Sequence, residues 1–297
     1  MAQYKISALS YTMKKAVIVF ILLIIIGFIP FRQHSSVNIK SNYLDVCQQL
    51  AAGNQAQAQK FNTGHAFSIT SISANVFKAT VTGSYIDHFC FYTVVPEIKN
   101  NYTTIAIDVP TNVFKWFISQ VQPSVKPEAL ITSLKIFMED ARLYYGFNIN
   151  EKDVTENYIA VKKETVLTKN KFPEINKAVR DLNIYIAESN AKAIHALSCS
   201  YYLHQADSVQ VLIGIPLNKQ VKPAGDITCM RMPGGKMLIG DFTGKYSDRQ
   251  KLYSAMEKYM QDHSLAKQIA PFERYLDNRI PASDSDSVNM QINYPVL

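Results

Sequence analysis

The apolar and polar positions of the chain follow a clear pattern near the C-terminus. Apolar residues recur at helical spacing from Leu252 to Met260, which predicts a helix with one buried face. The charged residues beside it, including Arg249, are expected on the opposite side. Residues 288–294 alternate apolar side chains with asparagine and glutamine, which predicts a half-buried strand.

This pattern occurs twice in the second half of the chain. The aligned pairs are 207–217 with 286–296, the helix from Pro173 with the helix from Ser247, and Ser200–Leu203 with Glu273–Leu276. The alignment places Ser200 at the position of Glu273 and Tyr202 at the position of Tyr275. Each copy is a strand-helix-strand-strand unit too small to bury its own apolar face, so the two copies must pack together in an α+β domain.

Residues 32–150 have a different pattern, in which short strand-like segments follow one another. Four of them, joined by turn-rich links, predict an antiparallel meander: 66–72, 76–81, 88–95 and 102–109. A short strand and a helix opened by Ser41 and Asn42 precede the meander. A long helix with its apolar face between Leu130 and Tyr145 closes the region.

The N-terminal segment contains an unbroken apolar run from Ala16 to Phe31. As a helix, this run would be about 24 Å long, slightly less than the ~30 Å hydrocarbon core of a membrane. No small-residue cleavage site follows, and no polar stripe marks a core helix. Residues 1–31 are therefore predicted to be a cytoplasmic tail and an uncleaved single-pass anchor. The lysines before the run favour a cytoplasmic N-terminus, with the other domains periplasmic or extracellular.

Composition and residue spacing argue against nucleic-acid and metal binding. The net charge of +7 is spread along the chain without a basic run, and no helix-turn-helix or zinc-finger spacing occurs, so nucleic acid is not an expected partner. The four cysteines and six histidines are dispersed and match no metal-ligand spacing. No metal and no cofactor are predicted.

The C-terminal pattern resembles a known family. The motifs that carry the resemblance are Gly235-Lys236 with the strand after it, Gly244-Lys245-Tyr246, Glu273-Arg274-Tyr275-Leu276-Asp277 and Tyr294-Pro295-Val296. Their order and spacing resemble the second half of a GyrI-like domain, also called the AraC-type effector-binding domain. Over residues 158–297 the resemblance implies two copies related by a pseudo-twofold, with a pocket between them for small aromatic or cationic molecules.

The region before it resembles a second family. The order of strand, helix, meander and long helix, together with 133–140 and Tyr145-Gly146-Phe147, is similar to a START-like (polyketide cyclase-like) helix-grip domain. The tryptophan-rich stretch usual in that family is replaced by residues 51–61. The resemblance therefore implies a degenerate domain over 32–150, with a structural role.

The residues of the C-terminal half allow a candidate site to be named. Alternation along a strand places Glu273 and Tyr275 on one face, and a desolvated carboxylate beside tyrosines suits a flat cation. The alternative is that Glu273 pairs with Arg274 or a lysine at the surface. The resemblance favours the first interpretation, since a glutamate at this position is the pocket acid of the family. The predicted ligand-binding residues are Glu273, Tyr275, Tyr246 and Tyr202.

Three functions follow from this site. The first is a membrane-anchored sensor or sequestering protein that binds an aromatic or cationic ligand. The second is a structural or partner-binding protein with vestigial pockets, which a filled cleft would favour. The third is a small-molecule hydrolase with Glu273 as general base and Tyr275 or Tyr246 as proton donor. No nucleophile motif supports catalysis, so no catalytic residue is predicted.

Overall fold

The protein is described by a computed structural model that covers residues 3–52, 66–82, 88–97, 102–121, 127–155, 157–204, 207–232 and 234–297. The chain folds into two compact units, Met1–Glu139 and Asp140–Leu297. Both are built from helices and antiparallel sheet, as the α+β prediction requires. The predicted limits 32–150 and 158–297 stay predictions of domain boundaries.

The first helix, α1 (Gln3–Gly27), corrects the predicted membrane anchor. The helix ends at Gly27, and strand β1 begins at Pro30, so the apolar run is divided between two elements. The apolar part of α1 from Ala16 to Gly27 is only about 18 Å long, against the ~30 Å of a bilayer core. Within the described residues, no helix has both the length and the apolar content needed to cross a membrane. The predicted transmembrane helix and single-pass localisation are therefore wrong.

The first unit contains one five-stranded sheet with the strand order β1-β5-β4-β3-β2, antiparallel throughout. Its elements are β1 (Pro30–Ile39), α2 (Tyr43–Ala51), β2 (Ala66–Ser73), β3 (Val76–Thr82), β4 (His88–Glu97), β5 (Tyr102–Asn112), α3 (Val113–Val121) and α4 (Pro127–Glu139). Strands β2 to β5 confirm the predicted meander. The predicted closing helix ends at Glu139, because the Asp140 side chain accepts the N–H groups of the next turn and starts a new helix.

The second unit contains an eight-stranded antiparallel sheet with the order β10-β7-β9-β8-β12-β13-β11-β6. Its elements are α5 (Ala141–Tyr145), β6 (Ile149–Val154), β7 (Asn157–Leu167), α6 (Lys171–Glu188), β8 (Ser198–His204), β9 (Ser208–Leu217), β10 (Ile227–Met232), β11 (Gly235–Lys245), α7 (Gln250–Asp262), β12 (Phe272–Tyr275) and β13 (Ser287–Val296). A short 3-10 turn precedes each long helix: Thr168–Asn170 before α6 and Tyr246–Arg249 before α7.

The strand order of this sheet is symmetric about the β8·β12 pair, in the arrangement expected of two copies related by a pseudo-twofold. Strand β9 corresponds to β13, β7 to β11 and β10 to β6. The edge strands are exchanged between the copies. Strand β6 leads into the first copy but pairs with β11 of the second, and β10 leads into the second copy but pairs with β7 of the first. Helices α6 and α7 pack against one face of the sheet in a single apolar core.

The backbone fixes which residues correspond between the copies. Asn190 and Ser264 both have positive φ just after the two long helices. Ala193 and Lys267 then form equivalent isolated bridges with the ends of β9 and β13. The same sequence offset separates the members of both pairs, and it also separates the first residues of β8 and β12. Position 199 therefore corresponds to position 273.

Candidate functional site

Glu273 lies at the centre of the eight-stranded sheet. It is on β12, directly opposite Cys199 of β8, at the pair of strands about which the sheet is symmetric. Its side chain points to the face that carries α6 and α7, together with Tyr275 two residues later. Only 1% of Glu273 is exposed. The Glu273 side chain is therefore fully buried, as the prediction of a desolvated carboxylate requires.

Four side chains donate hydrogen bonds to the Glu273 carboxylate. Its Oε2 accepts the hydroxyls of Tyr275 at 2.5 Å and Tyr246 at 3.0 Å. Its Oε1 accepts Nε of Arg249 at 2.7 Å and the hydroxyl of Tyr253 at 3.2 Å. A carboxylate offers about four acceptor positions, so both oxygens are fully used.

Arg249 is the partner that the sequence interpretation placed wrongly. Its guanidinium lies over the Tyr246 ring, with Cζ 3.7 Å from the ring centroid, and Nη1 donates to the Tyr246 carbonyl at 3.0 Å. Arg249 precedes Leu252 by three residues and Met256 by seven, so helical spacing puts it on the buried face of α7. The same periodicity that identified the helix could have found this contact.

The electrostatics of the site follow from burial around one charge. Burial raises the pKa of the Tyr246 and Tyr275 hydroxyls, and the negative charge of Glu273 raises both further. Burial lowers the pKa of the Arg249 guanidinium, but the charge and hydrogen bond of Glu273, together with Tyr246 and Tyr253, raise this pKa overall. The tyrosines of the site therefore stay protonated, and Arg249 stays positively charged, near neutral pH.

The structure brings together three of the four predicted ligand-binding residues, namely Glu273, Tyr275 and Tyr246. Tyr202 lies elsewhere, because it pairs with Gln210 and shares the opposite face of the sheet with Ser200 and Leu212. There it borders a separate, mostly apolar cavity of about 300 Å³. The neighbouring residue Tyr201 occupies the site instead, with its hydroxyl 3.4 Å from that of Tyr275.

A slip of one residue explains the difference. The sequence alignment paired Ser200 with Glu273, whereas the backbone pairs Cys199 with Glu273 and Tyr201 with Tyr275. In a strand, one residue of slip exchanges the two faces of the sheet. The Glu273 carboxylate is thus surrounded by tyrosine hydroxyls and is in contact with Arg249 of the same chain.

Comparison with known proteins gives structural neighbours alone. No protein-family model matches the chain, and a search of curated protein sequences gives no match. The chain is similar to EcmrR in its DNA complex, at 14% identity over 61% of this chain and 76% of that one, with a TM-score of 0.44. The EcmrR C-terminal domain is 16% identical over 51% and 98% of the two chains, with a TM-score of 0.43. SAV2435 bound to tetraphenylphosphonium is 13% identical over 50% and 94%, with a TM-score of 0.31.

EcmrR and SAV2435 are effector-binding folds of the GyrI-like type, the class that the C-terminal motifs resemble. At these identities and TM-scores, the likeness assigns neither a family nor a function to this chain. The comparisons give no support to the START-like resemblance of the first unit. Absence of nucleic-acid binding stays a prediction.

Proposed function

We propose that this chain is a small-molecule-binding protein whose second unit recognises an aromatic organic cation at Glu273, Tyr246 and Tyr275. One observation carries the proposal: a fully buried carboxylate is surrounded by tyrosines, and a flat cation already lies against it. A negative charge beside the face of an aromatic ring is the usual arrangement for binding organic cations.

The filled cleft raises the alternative of a vestigial pocket. A pocket that has lost its ligand can close with apolar side chains, and replacing a buried ion pair by well-packed apolar residues is often neutral or stabilising. Here the filling group is instead a charged side chain, and 22% of it is exposed. The buried carboxylate of Glu273 is thus held by a partly exposed cation and is not covered by apolar side chains. This arrangement supports a binding role over a purely structural one.

Hydrolysis has less support. A general base must offer a lone pair to water within hydrogen-bond reach. Both oxygens of Glu273 already accept two donors each. The chemistry of the described site therefore supports recognition of a cation in preference to activation of water.

Thermal unfolding of the full chain with a panel of aromatic cations, including benzamidinium and acriflavine, tests the proposal. A ligand at about 100 times its Kd stabilises by about 2.7 kcal/mol, which raises Tm by roughly 5–10 °C in a domain of this size. Glu273→Gln should weaken binding at least tenfold, because it removes the negative charge. Tyr202→Phe, on the other face of the sheet, is the matched control and should bind as wild type does.

Two results would contradict the proposal. One is a panel in which no cation shifts Tm. The other is a cation that stabilises Glu273→Gln as much as wild type, because binding would then occur away from the carboxylate.

A further inference from the structure

The Glu273 carboxylate has no acceptor position left for an incoming ligand. Each of its oxygens already takes two donors, from Tyr246 and Tyr275 on one side and from Arg249 and Tyr253 on the other. A cation that binds to Glu273 must therefore take the place of one of these donors. The identity of the displaced group decides the class of ligand that fits.

Arg249 is the donor best placed to leave. Tyr246 and Tyr275 are fully buried, whereas 22% of the Arg249 side chain is exposed. Arg249 is also the cation among the four donors, so its exchange for a ligand cation keeps the site neutral. It is the last residue of the 3-10 turn and lies directly before α7.

The contacts of Arg249 describe the group that would replace it. Nε donates to Glu273 at 2.7 Å and Nη1 donates to the Tyr246 carbonyl at 3.0 Å, while the guanidinium plane lies against the Tyr246 ring. A replacement needs two N–H groups in one plane and a flat cationic face. Amidinium and guanidinium groups have both features. A quaternary ammonium has no N–H and would leave a buried acceptor without a partner.

We infer that Arg249 is a tethered substitute for the ligand, and that the ligand is a planar cation bearing an amidinium or guanidinium group, which displaces Arg249 from Glu273. This inference rests on the proposed function and adds both the ligand class and a built-in competitor. Arg249 lowers the apparent affinity, because a ligand binds only to molecules in which the arginine has left the carboxylate.

Removal of Arg249 from the full chain, followed by addition of its missing head group, tests the inference. Arg249→Ala should unfold at a lower temperature than wild type. Methylguanidinium chloride at low millimolar concentration should raise the Tm of this variant by about 3–5 °C in a saturable manner. Tetramethylammonium chloride at the same ionic strength should have no such effect. Wild type and the double variant Arg249→Ala/Glu273→Gln should not respond to either salt.

Arg274→Ala is the matched control for loss of an arginine. Arg274 is adjacent to Glu273 in sequence and shares the opposite face of the sheet with Phe272. Methylguanidinium should therefore not stabilise Arg274→Ala. Arg249→Lys keeps the positive charge but not the planar donors, and it covers the case in which Arg249→Ala does not fold. Benzamidinium should bind Arg249→Lys more tightly than wild type, and at least tenfold more tightly than phenyltrimethylammonium.

The outcomes separate this inference from the proposed function. Aromatic cations that bind wild type through Glu273, while methylguanidinium fails to stabilise Arg249→Ala, would overturn the displacement of Arg249 and leave the binding site intact. Equal stabilisation of Arg249→Ala and the double variant would overturn it too. Stabilisation of Arg249→Ala alone, with a wild type that binds no cation, would contradict both the proposed function and the displacement of Arg249 by a ligand.

Discussion

The two copies that form the eight-stranded sheet share a backbone but differ in the chemistry of equivalent positions. Where the second copy has Glu273, the first has Cys199, and both are buried at the central strand pair. The offset that pairs Cys199 with Glu273 makes Ile175 of α6 the counterpart of Arg249. Ile175 is a fully buried apolar residue, whereas Arg249 is a cation that pairs with the buried Glu273.

The comparison shows that a symmetric backbone can carry different side-chain chemistry in its two copies. A second carboxylate at position 199 would place two like charges opposite each other in a buried strand pair, at a high electrostatic cost. With a cysteine there, burial and the charge of Glu273 raise the pKa of the Cys199 thiol well above its usual value, so it stays neutral. One copy thus provides the charge, and the other provides apolar packing beside it.

Truncation of the two equivalent residues should give the largest difference between the copies. Glu273→Ala leaves Arg249 without its partner and the tyrosine hydroxyls without their acceptor, and loss of one member of a buried pair costs about 3–5 kcal/mol. Cys199→Ala removes one buried sulfur and should cost about 1 kcal/mol. Urea unfolding measures both. Equal costs would mean that the ion pair has no special place in the stability of this unit.

The equivalent tyrosines should differ by less. Tyr275→Phe removes a hydrogen bond to a charged group, which is worth about 1.5–3 kcal/mol. Tyr201→Phe removes a 3.4 Å contact between two hydroxyls and should cost about 0.5 kcal/mol. Unfolding of the two variants under identical conditions checks the ranking. If Tyr201→Phe were the more costly change, the carboxylate would not be the centre of the hydrogen-bond network.

Raising the pH above about 10 should lower the stability of the protein gradually, because the second copy contains buried tyrosines. The pKa of Tyr246 is raised in the folded state, so its stabilisation is fully present below the unfolded value of about 10 and is lost as the pH rises above it. Each such tyrosine contributes about 1.4 kcal/mol per pH unit above pH 10. Tyr246→Phe should therefore have a shallower loss of stability than wild type between pH 10 and 11. Parallel curves would contradict the burial of this hydroxyl.

Much of the fold could be predicted from periodicity, since the meander, the repeated unit and the second long helix each depend on local spacing. Glu273, Tyr275 and Tyr246 also come together as expected. The place of Tyr202 could not be predicted in this way. It depends on which residue of β8 is the counterpart of Glu273, and this correspondence is set by how the chain leaves α6 and α7 at Asn190 and Ser264.

The membrane prediction failed for a related reason. Composition shows that residues 16–31 are apolar, but it does not show where the helix ends. Pro30 pairs with Asn112 as the first residue of β1, so tertiary pairing takes the end of the apolar run out of α1. Long-range contacts thus decided both errors, whereas the wrongly placed Arg249 could have been located from helical spacing that the sequence already contained.

The most direct test of the site is to observe Arg249 itself during ligand binding. The wild-type chain is labelled with nitrogen-15 on arginine. The Nε–H signal of Arg249 is the one that is missing from the spectrum of the Arg249→Lys variant. Titration with benzamidinium should move this signal from a protected, hydrogen-bonded position to that of an exposed arginine as the site fills. Benzamidinium that saturates the protein while the Arg249 signal keeps its position and protection would contradict the account, because the ligand would then bind without taking the place of the arginine at Glu273.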